Sequence, residues 1–298
     1  MDINLELYRV FNAVVRLKSF SGAARELYIS QPAVSQAIKQ LEEACGTRLF
    51  VREKRGVTLT GGGEVLYGYI HSALNLIEAG EHRIAEMNTL SAGELRIGAS
   101  DSVSKWYLLP AIKRFHETYP GVTLRITNRV SIETLDLLRD GKIDIGFVNM
   151  PISAQDVIFE KCRSVHDIFI AGEKFTELRG KKIPLAKLSE YPIIMLENAS
   201  NSRRWVDRHF FSKGIALKPE VELGAHDLLL DYAGIGLGVA CVIEEFSRQA
   251  LNGGDMFRIE IEEPVPERSI NACYLERIGL PVSARRFIDL VKEEIDGF

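Results

Sequence analysis

The side chains best placed to bind another molecule lie on one face of a predicted helix near the start of the chain. Apolar residues over 34–41 follow the i, i+3, i+4, i+7 spacing that buries a helix face. The opposite face carries Gln31, Ser35, Gln36, Lys39 and Gln40. Amides pair with adenine and lysine with guanine, so this face favours contact with base edges in double-stranded DNA. A merely solvated helix face would carry similar residues, and spacing alone leaves that alternative open.

Two further helices and a hairpin are predicted around this face. An apolar stripe predicts the first helix over residues 5–17, and Ser21 is expected to cap the second. Ser30 is expected to cap the third, with Pro32 in its first turn. Two short β-type runs then flank residues 53–56, a hairpin tip with basic side chains. Three helices and such a hairpin form a winged helix-turn-helix, whose third helix enters the major groove.

Residues 1–66 resemble the DNA-binding domain of LysR-type transcriptional regulators. The matching motifs are Phe11, Ser19-Phe-Ser-Gly-Ala-Ala24, Leu27, Ser30-Gln-Pro-Ala-Val-Ser35, Ile38, Leu41-Glu42, Gly46, Leu49-Phe50, Arg52, Leu59-Thr60 and Gly63-Glu64. The resemblance implies that the third helix and the hairpin face DNA. The candidate DNA-binding residues are Ser21, Arg25, Ser30, Gln31, Pro32, Ser35, Gln36, Lys39, Arg52 and Arg55. Gly61 and Gly62 stand where helix formers are usual, which predicts a soft start of the next helix.

Residues 64–90 contain no proline and are predicted to form one helix of ~40 Å. Apolar residues recur on it at alternating steps of four and three, which is typical of paired helices. We call them the dimerisation seam: Leu66, Ile70, Ala73, Ile77, Ile84 and Met87. Gly80 lies in the same stripe, between Ile77 and Ile84. The resemblance implies that this helix pairs with that of a second chain. A helix that packs on its own domain is the alternative, and it would show a broader apolar stripe.

From residue 91 onward, short β-type runs alternate with helical segments. The predicted strands cover 95–98, 122–126, 143–148, 167–171, 192–196, 219–223, 237–243 and 270–275. The predicted helices cover 104–118, 132–139, 202–212, 227–234, 244–251 and 282–295. This alternation predicts an α/β body with mostly parallel sheets. The fold class is therefore mixed: a mainly α-helical winged helix-turn-helix domain, a long linker helix and an α/β module.

Polar side chains follow several of these strands or open several of these helices. They are Ser100, Asp101, Ser102, Asn128, Asn149, Ser200, Asn201, Ser202 and His226. Ligands of such sheets bind at the carboxyl ends of the strands, and helix starts near Ser102 and Ser202 could attract an anion. Ordinary helix capping by serine and asparagine is the alternative. A metabolite with a carboxylate is expected, although Asp101 would repel it and leaves a zwitterion such as an amino acid open.

The body resembles the effector-binding region of the same family more loosely. The matches are residues 93–98, Leu109-Pro110, Phe115, residues 119–122, Leu138, residues 141–146 and residues 234–238. The resemblance implies two subdomains like those of type 2 periplasmic solute-binding proteins, with a cleft between them. We expect chain crossings near 161–165 and 264–268. The predicted domains are 1–63, 64–90 and 91–298, the last divided into subdomain I (91–162 and 267–298) and subdomain II (163–266).

The implied function is a cytoplasmic, ligand-responsive transcriptional regulator. Its expected partners are operator DNA, a small anionic or zwitterionic effector, further copies of itself up to a homotetramer, and RNA polymerase as a further candidate. Residues 1–65 carry a net charge of +2 and the rest −6, which fits an anionic partner at the front. No export signal or membrane span is expected.

Other functions find little support in the sequence. Histidine-containing and glycine-rich segments lack the spacing of zinc-protease and dinucleotide motifs, so no enzyme, metal or cofactor is expected. A solute-binding protein would lack the DNA-binding segment. The four cysteines form no CxxC pair. A thiol-responsive regulator of the same architecture remains as an alternative, with Cys162 and Cys241 as the candidate pair of subdomain II.

Overall fold

The computed structural model describes residues 3–53, 56–86 and 93–293 of the chain. The chain divides into two compact units, residues 1–81 and 82–298. The described elements of the first unit are α1 (Leu5–Leu17), α2 (Phe20–Glu26), α3 (Gln31–Cys45), β1 (Phe50–Glu53), β2 (Gly56–Leu59) and the start of α4 (Gly61–Glu86). Strands β1 and β2 pair antiparallel, and α1, α2 and α3 enclose a core of buried side chains that includes Phe11, Val34 and Leu41. The predicted winged helix-turn-helix is confirmed.

Serine side chains cap the N-termini of α2 and α3, the two helices of the helix-turn-helix. Ser30 Oγ accepts a hydrogen bond from the Ala33 N–H at 3.3 Å, as predicted. The cap of α2 is Ser19, whose Oγ accepts from the Gly22 N–H at 3.0 Å, so the prediction of Ser21 as this cap was wrong. Ser19 has extended backbone angles, whereas Ser21 already lies inside the helix, where its hydroxyl cannot reach the first free N–H groups.

Helix α4 begins at Gly61, three residues before the predicted start, so the two glycines belong to the helix itself. We call the hairpin of β1 and β2 the wing. The first turn of α4 fits closely against the residue that leads into it, because a Cβ at Gly63 would lie 2.2 Å from the Leu49 carbonyl oxygen. In the dimerisation seam, Leu66 and Ile70 pack against the core of their own unit. Ala73, Ile77 and Ile84 are exposed, and Met87 lies outside the described residues.

In the second unit, β-strands alternate with helices over the described residues 93–293. Its first half has β3 (Gly93–Ala99), α5 (Asp101–Val103), a π-helical turn (Ser104–Leu108), α6 (Leu109–Thr118), β4 (Val122–Asn128), α7 (Ser131–Arg139), β5 (Ile145–Asn149) and β6 (Val157–Val165). There follow β7 (Asp167–Gly172), a 3-10 helix (Glu173–Leu178), β8 (Lys182–Ile183), α8 (Leu185–Leu188), β9 (Ile193–Leu196), α9 (Asn201–Ser212) and β10 (Val221–Leu223). The last elements are α10 (His226–Gly234), β11 (Val239–Ile243), α11 (Glu244–Asn252), β12 (Met256–Ile261), β13 (Arg268–Leu275) and α12 (Val282–Glu293).

These strands form two mixed sheets, with the orders β4-β3-β5-β13-β6 and β10-β9-β11-β7-β12-β8. The prediction of mostly parallel sheets understated their antiparallel part. Every antiparallel pairing in them involves β7 or β13. These are the strands with which the chain enters a sheet after crossing from the other, so the crossings impose the antiparallel direction.

The crossings lie close to the predicted places. Strand β6 stays in the first sheet through Val165, and His166 alone separates it from β7 in the second sheet. Residues 163–165, predicted in subdomain II, therefore pair within the sheet of subdomain I. The return runs between β12 and β13, over residues 262–267.

We predict that Gly63→Ala destabilises the first unit, because the added methyl group would overlap the Leu49 carbonyl oxygen. Overpacking of this kind costs ~1–3 kcal/mol. Gly61→Ala is the matched control, since a Cβ there meets nothing within 4 Å and alanine favours a helix. Hydrogen exchange of the α1–α3 amides in the full-length protein measures the local stability. Equal protection in the two variants would contradict the close fit of α4 against the wing.

Candidate functional site

The exposed face of α3 presents polar side chains that are not committed to the fold. Gln31, Pro32, Gln36, Lys39 and Gln40 are exposed and Ser35 is half-buried. Gln31 Nε2 donates to Ser35 Oγ at 3.1 Å, which orients both side chains. Lys39 Nζ lies 3.6 Å from a Glu43 carboxylate oxygen, but both side chains are largely exposed. An exposed ion pair of this kind is weak, so Lys39 can exchange it for a phosphate or base contact.

The wing is anchored to α3 by Glu42, a residue whose role the sequence analysis missed. Its Oε1 accepts hydrogen bonds from the N–H groups of Leu49 at 2.8 Å and Phe50 at 3.3 Å. The carboxylate at the end of α3 is thereby used to position β1. Arg52 lies on β1 with its side chain outside the described part, and Arg55 lies outside the described residues. Ser21 and Arg25 are exposed on α2, and Ser30 is exposed at the start of α3.

The second unit contains a narrow cleft between its two sheets, with a cavity volume of about 60 Å³. Of the predicted effector residues, Ser100, Asp101, Ser102, Asn149, Ser200, Asn201, Ser202 and His226 line it. Asn128 lines a neighbouring cavity instead, and its Oδ1 accepts from Ser104 Oγ at 3.3 Å. Ser131 and Glu197 also line the cleft and were missed. Ser131 opens α7, three residues after the end of β4, and this position is the signal that could have identified it.

A buried ion pair fixes the floor of this cleft. Arg268, at the start of β13, holds the Asp167 carboxylate at 2.6 and 2.8 Å through two nitrogens, and their side chains are 1% and 3% exposed. A further Arg268 nitrogen donates to Asn149 Oδ1 at 2.6 Å. The Asn149 N–H donates to Ser131 Oγ at 3.0 Å. Residues from both sheets thus meet in one network, in which the arginine charge is neutralised.

Direct contacts also join the two subdomains across the cleft. Asn201 Nδ2 donates to the carbonyl oxygens of Asn149 and Pro151. On the neighbouring side, Asp227 accepts from Lys105 Nζ at 2.5 Å and from Trp106 Nε1 at 2.9 Å. Burial opposes ionisation of Asp227, but these two hydrogen bonds outweigh it and lower its pKa. The structure is therefore a closed arrangement held by polar contacts.

His226 opens α10 at the wall of the cleft and is 3% exposed. The Ile243 N–H donates to its Nε2 at 3.2 Å. A ring nitrogen that accepts carries no proton, so the neutral ring is protonated at Nδ1. Nδ1 is buried and finds no hydrogen-bond partner among the described residues. The pKa of His226 is lowered to about 4, chiefly by burial, while the opposing effect of Asp227 is offset by the nearby Arg268 and Lys105 charges.

The cysteines are placed unfavourably for redox sensing. Cys162 lies on β6 of subdomain I, within the predicted range 91–162, and Cys241 lies on β11 of subdomain II, so the two do not form a pair within subdomain II. They pack in different hydrophobic clusters. Burial raises the pKa of both thiols, and that of Cys241 lies well above its ordinary value. A raised pKa suppresses the thiolate, which is the reactive form.

Comparisons with known proteins agree with this architecture. Residues 5–64 match the model of the bacterial regulatory helix-turn-helix proteins of the lysR family, and residues 88–296 match that of the LysR substrate binding domain. The RuBisCO operon transcriptional regulator of Allochromatium vinosum is 29% identical over 99% of this chain and 97% of its own. The transcriptional activator CmpR of Synechocystis is 27% identical over 97% of this chain and 94% of its own.

Solved structures show the same fold. A full-length OxyR variant from Pseudomonas aeruginosa has a TM-score of 0.72 at 21% identity and covers 98% of this chain and 95% of its own. Full-length CbnR in complex with its target DNA has a TM-score of 0.68 at 19% identity, with 97% and 99% covered. No helix in the described ranges is both long and apolar enough to cross a membrane.

A winged helix-turn-helix followed by a two-subdomain α/β module defines a ligand-responsive DNA-binding regulator. With family matches over both parts, the chain belongs to the LysR family of transcriptional regulators. Its relatives are transcriptional regulators.

We predict that the stability of the protein falls as the pH drops from 7 to 5, in part because of His226. The unfolded histidine takes up a proton near its ordinary pKa of 6.5, whereas the folded one resists until about 4. Acid therefore favours the unfolded chain, by about 2 kcal/mol over this interval. His226→Gln removes the titration and keeps an acceptor for the Ile243 N–H. Urea unfolding at several pH values should show a smaller decrease for this variant, and parallel curves would contradict the low pKa.

Proposed function

We propose that this regulator reads its operator with α3 and the wing and binds a small-molecule effector in the cleft between its two subdomains. The observation that carries the effector site is the convergence of polar residues from four helix starts on one cleft, closed by direct contacts between the subdomains. Polar groups that converge in a concave site fix the orientation of a ligand.

The DNA-binding part of the proposal rests on the uncommitted polar face of α3. Gln31, Ser35, Gln36 and Lys39 are the proposed base-reading residues, and Pro32 and Ser30 set the start of the helix that carries them. Ser21, Arg25, Arg52 and Arg55 are proposed to contact the backbone of the operator. Helix-turn-helix proteins use such a division, with the second helix of the motif in the major groove.

We further propose that two chains pair through the exposed part of the dimerisation seam. Ile77 and Ile84 are exposed in the single chain, whereas Leu66 and Ile70 already pack on their own unit. A pairing surface confined to the later turns of α4 is consistent with this division. The proposed assembly, up to a tetramer, acts in the cytoplasm without catalytic activity, and RNA polymerase is a candidate partner at the promoter.

For the DNA-reading face, we predict that the double variant Gln36→Ala with Lys39→Ala loses operator affinity. Each base-reading contact is worth ~1–3 kcal/mol, so the preference over a scrambled sequence should fall as well. The control removes an exposed lysine and glutamine from the second unit, as Lys113→Ala with Gln249→Ala. Fluorescence anisotropy with operator and scrambled duplexes at several salt concentrations measures both affinities. Wild-type affinity in the α3 variant would remove the recognition-helix assignment.

For the effector cleft, we predict that Ala199→Trp abolishes ligand binding without unfolding the protein. Ala199 is exposed and lines the cleft, so an indole there occupies space that a ligand needs. Ala186→Trp is the matched control, because Ala186 is equally an exposed alanine and lies on α8, away from the cleft-lining residues.

A thermal-shift panel of carboxylic acids, amino acids and phosphorylated metabolites identifies binders of the wild-type protein, and calorimetry then compares the two variants. Operator binding without effector should persist in both. If Ala199→Trp binds the identified metabolite as well as Ala186→Trp does, the effector site lies elsewhere.

A further inference from the structure

The floor of the cleft is built from neutral polar groups. Ser131, Asn149, Ser202 and His226 are all buried. Among the described residues that line the cleft there is no lysine or arginine. The buried Arg268, which bonds Asn149 at the floor, is already paired with Asp167. A ligand at the floor therefore meets hydrogen-bond donors but no countercharge.

Three helices of nine or more residues begin at this floor. They are α7, α9 and α10, and none has a side-chain hydrogen bond at its N-cap, where Val130, Ser200 and Ala225 stand. The first N–H groups of a helix lack partners within it and carry partial positive charge. The first unit is different, because Asn4, Ser19 and Ser30 cap its first three helices with their side chains.

His226 supplies an independent observation at the same place. Its Nε2 is occupied by the Ile243 N–H, so the ring presents Nδ1–H as a donor. This donor is buried, and no acceptor for it is found among the described residues. A buried donor without an acceptor is uncommon in folded proteins and calls for one. Its place between helix starts indicates that the missing acceptor is an oxygen with negative charge.

We propose that the effector has an oxyanion head, a carboxylate, phosphate or sulfate, which accepts a hydrogen bond from His226 Nδ1–H and lies at the starts of α7, α9 and α10. This proposal rests on the cleft being the effector site. The head group is recognised without a cationic side chain, through a neutral histidine held in one tautomer by the Ile243 N–H. Because His226 is covered in the closed arrangement, the contacts of Asn201 and Asp227 across the cleft must open before the head group reaches it.

The rim restricts the rest of the ligand. Asp101 and Glu197 are exposed carboxylates that line the same cleft. A second negative charge on the ligand would be repelled there, whereas an ammonium or hydroxyl group would be accepted. The site is therefore selective for a molecule with one anionic end and a cationic or hydrogen-bond-donating remainder.

The test uses the full-length protein and four simple probes: acetate, glycine, sulfate and phosphate, each against chloride at matched ionic strength. Saturable thermal shifts and calorimetric binding are expected for at least one probe, and the probe that binds assigns the oxyanion class. His226→Gln retains an acceptor for the Ile243 N–H but lacks the Nδ1–H donor, so it should bind about tenfold more weakly. His116→Gln, at an exposed histidine, is the control and should bind as the wild type does.

The tautomer provides a measurement that needs no variant. In wild-type protein labelled with ¹⁵N-histidine, one ring should show the proton on Nδ1, and its resonance should move when the binding probe is added. Absence of saturable binding by every probe, equal affinity of His226→Gln and wild type, or a proton on Nε2 would each overturn the proposal. An effector that is blocked by Ala199→Trp but unaffected by His226→Gln would leave the cleft as the effector site and remove only the oxyanion assignment.

Discussion

The buried pair of Arg268 and Asp167 is the constraint on which the second unit depends. Arg268 begins β13 and Asp167 begins β7, so the pair joins the two places where the chain enters a sheet after crossing. The hydrogen bond from Arg268 to Asn149 adds the end of β5 to the same point. Loss of one partner would leave an uncompensated buried charge, which costs more than the pair itself contributes. The pair thus ties the two crossings to each other.

This arrangement determines the chemistry that the cleft can offer. Arg268, which bonds Asn149 at the floor, is neutralised by Asp167, so a ligand there would meet neutral groups. Asn149 is held by Arg268 through its side chain and by Ser131 through its N–H, and so it has little freedom to adapt. Recognition by oriented neutral donors is demanding in geometry, because each buried donor must find its own acceptor. A cleft of this kind distinguishes ligands by the positions of their oxygen atoms more than by total charge.

The features that the sequence predicted are those fixed by neighbouring residues. The apolar spacing of α3 and the cap at Ser30 depend on contacts within four residues, and both were found as expected. The cap of α2 was misplaced, because Ser19 and Ser21 are both suitable residue types and only the backbone angles distinguish them. Strands β6, β8 and β12 and the antiparallel pairings were missed, since partners far apart in the chain determine them.

The candidate site shows the same division. Serines and asparagines at strand ends were recognised from local pattern, and most of them line one cleft. The roles of Arg268, Glu42 and Asp227 come from long-range contacts and left no local signal.

Contacts between the subdomains also decide what a ligand must do. The closed form is already held by Asn201 and by Asp227, so a ligand that merely fills space changes nothing. Only one that contacts both walls better in one arrangement shifts the balance between open and closed forms, and the buried donor on His226 supplies that difference from one wall.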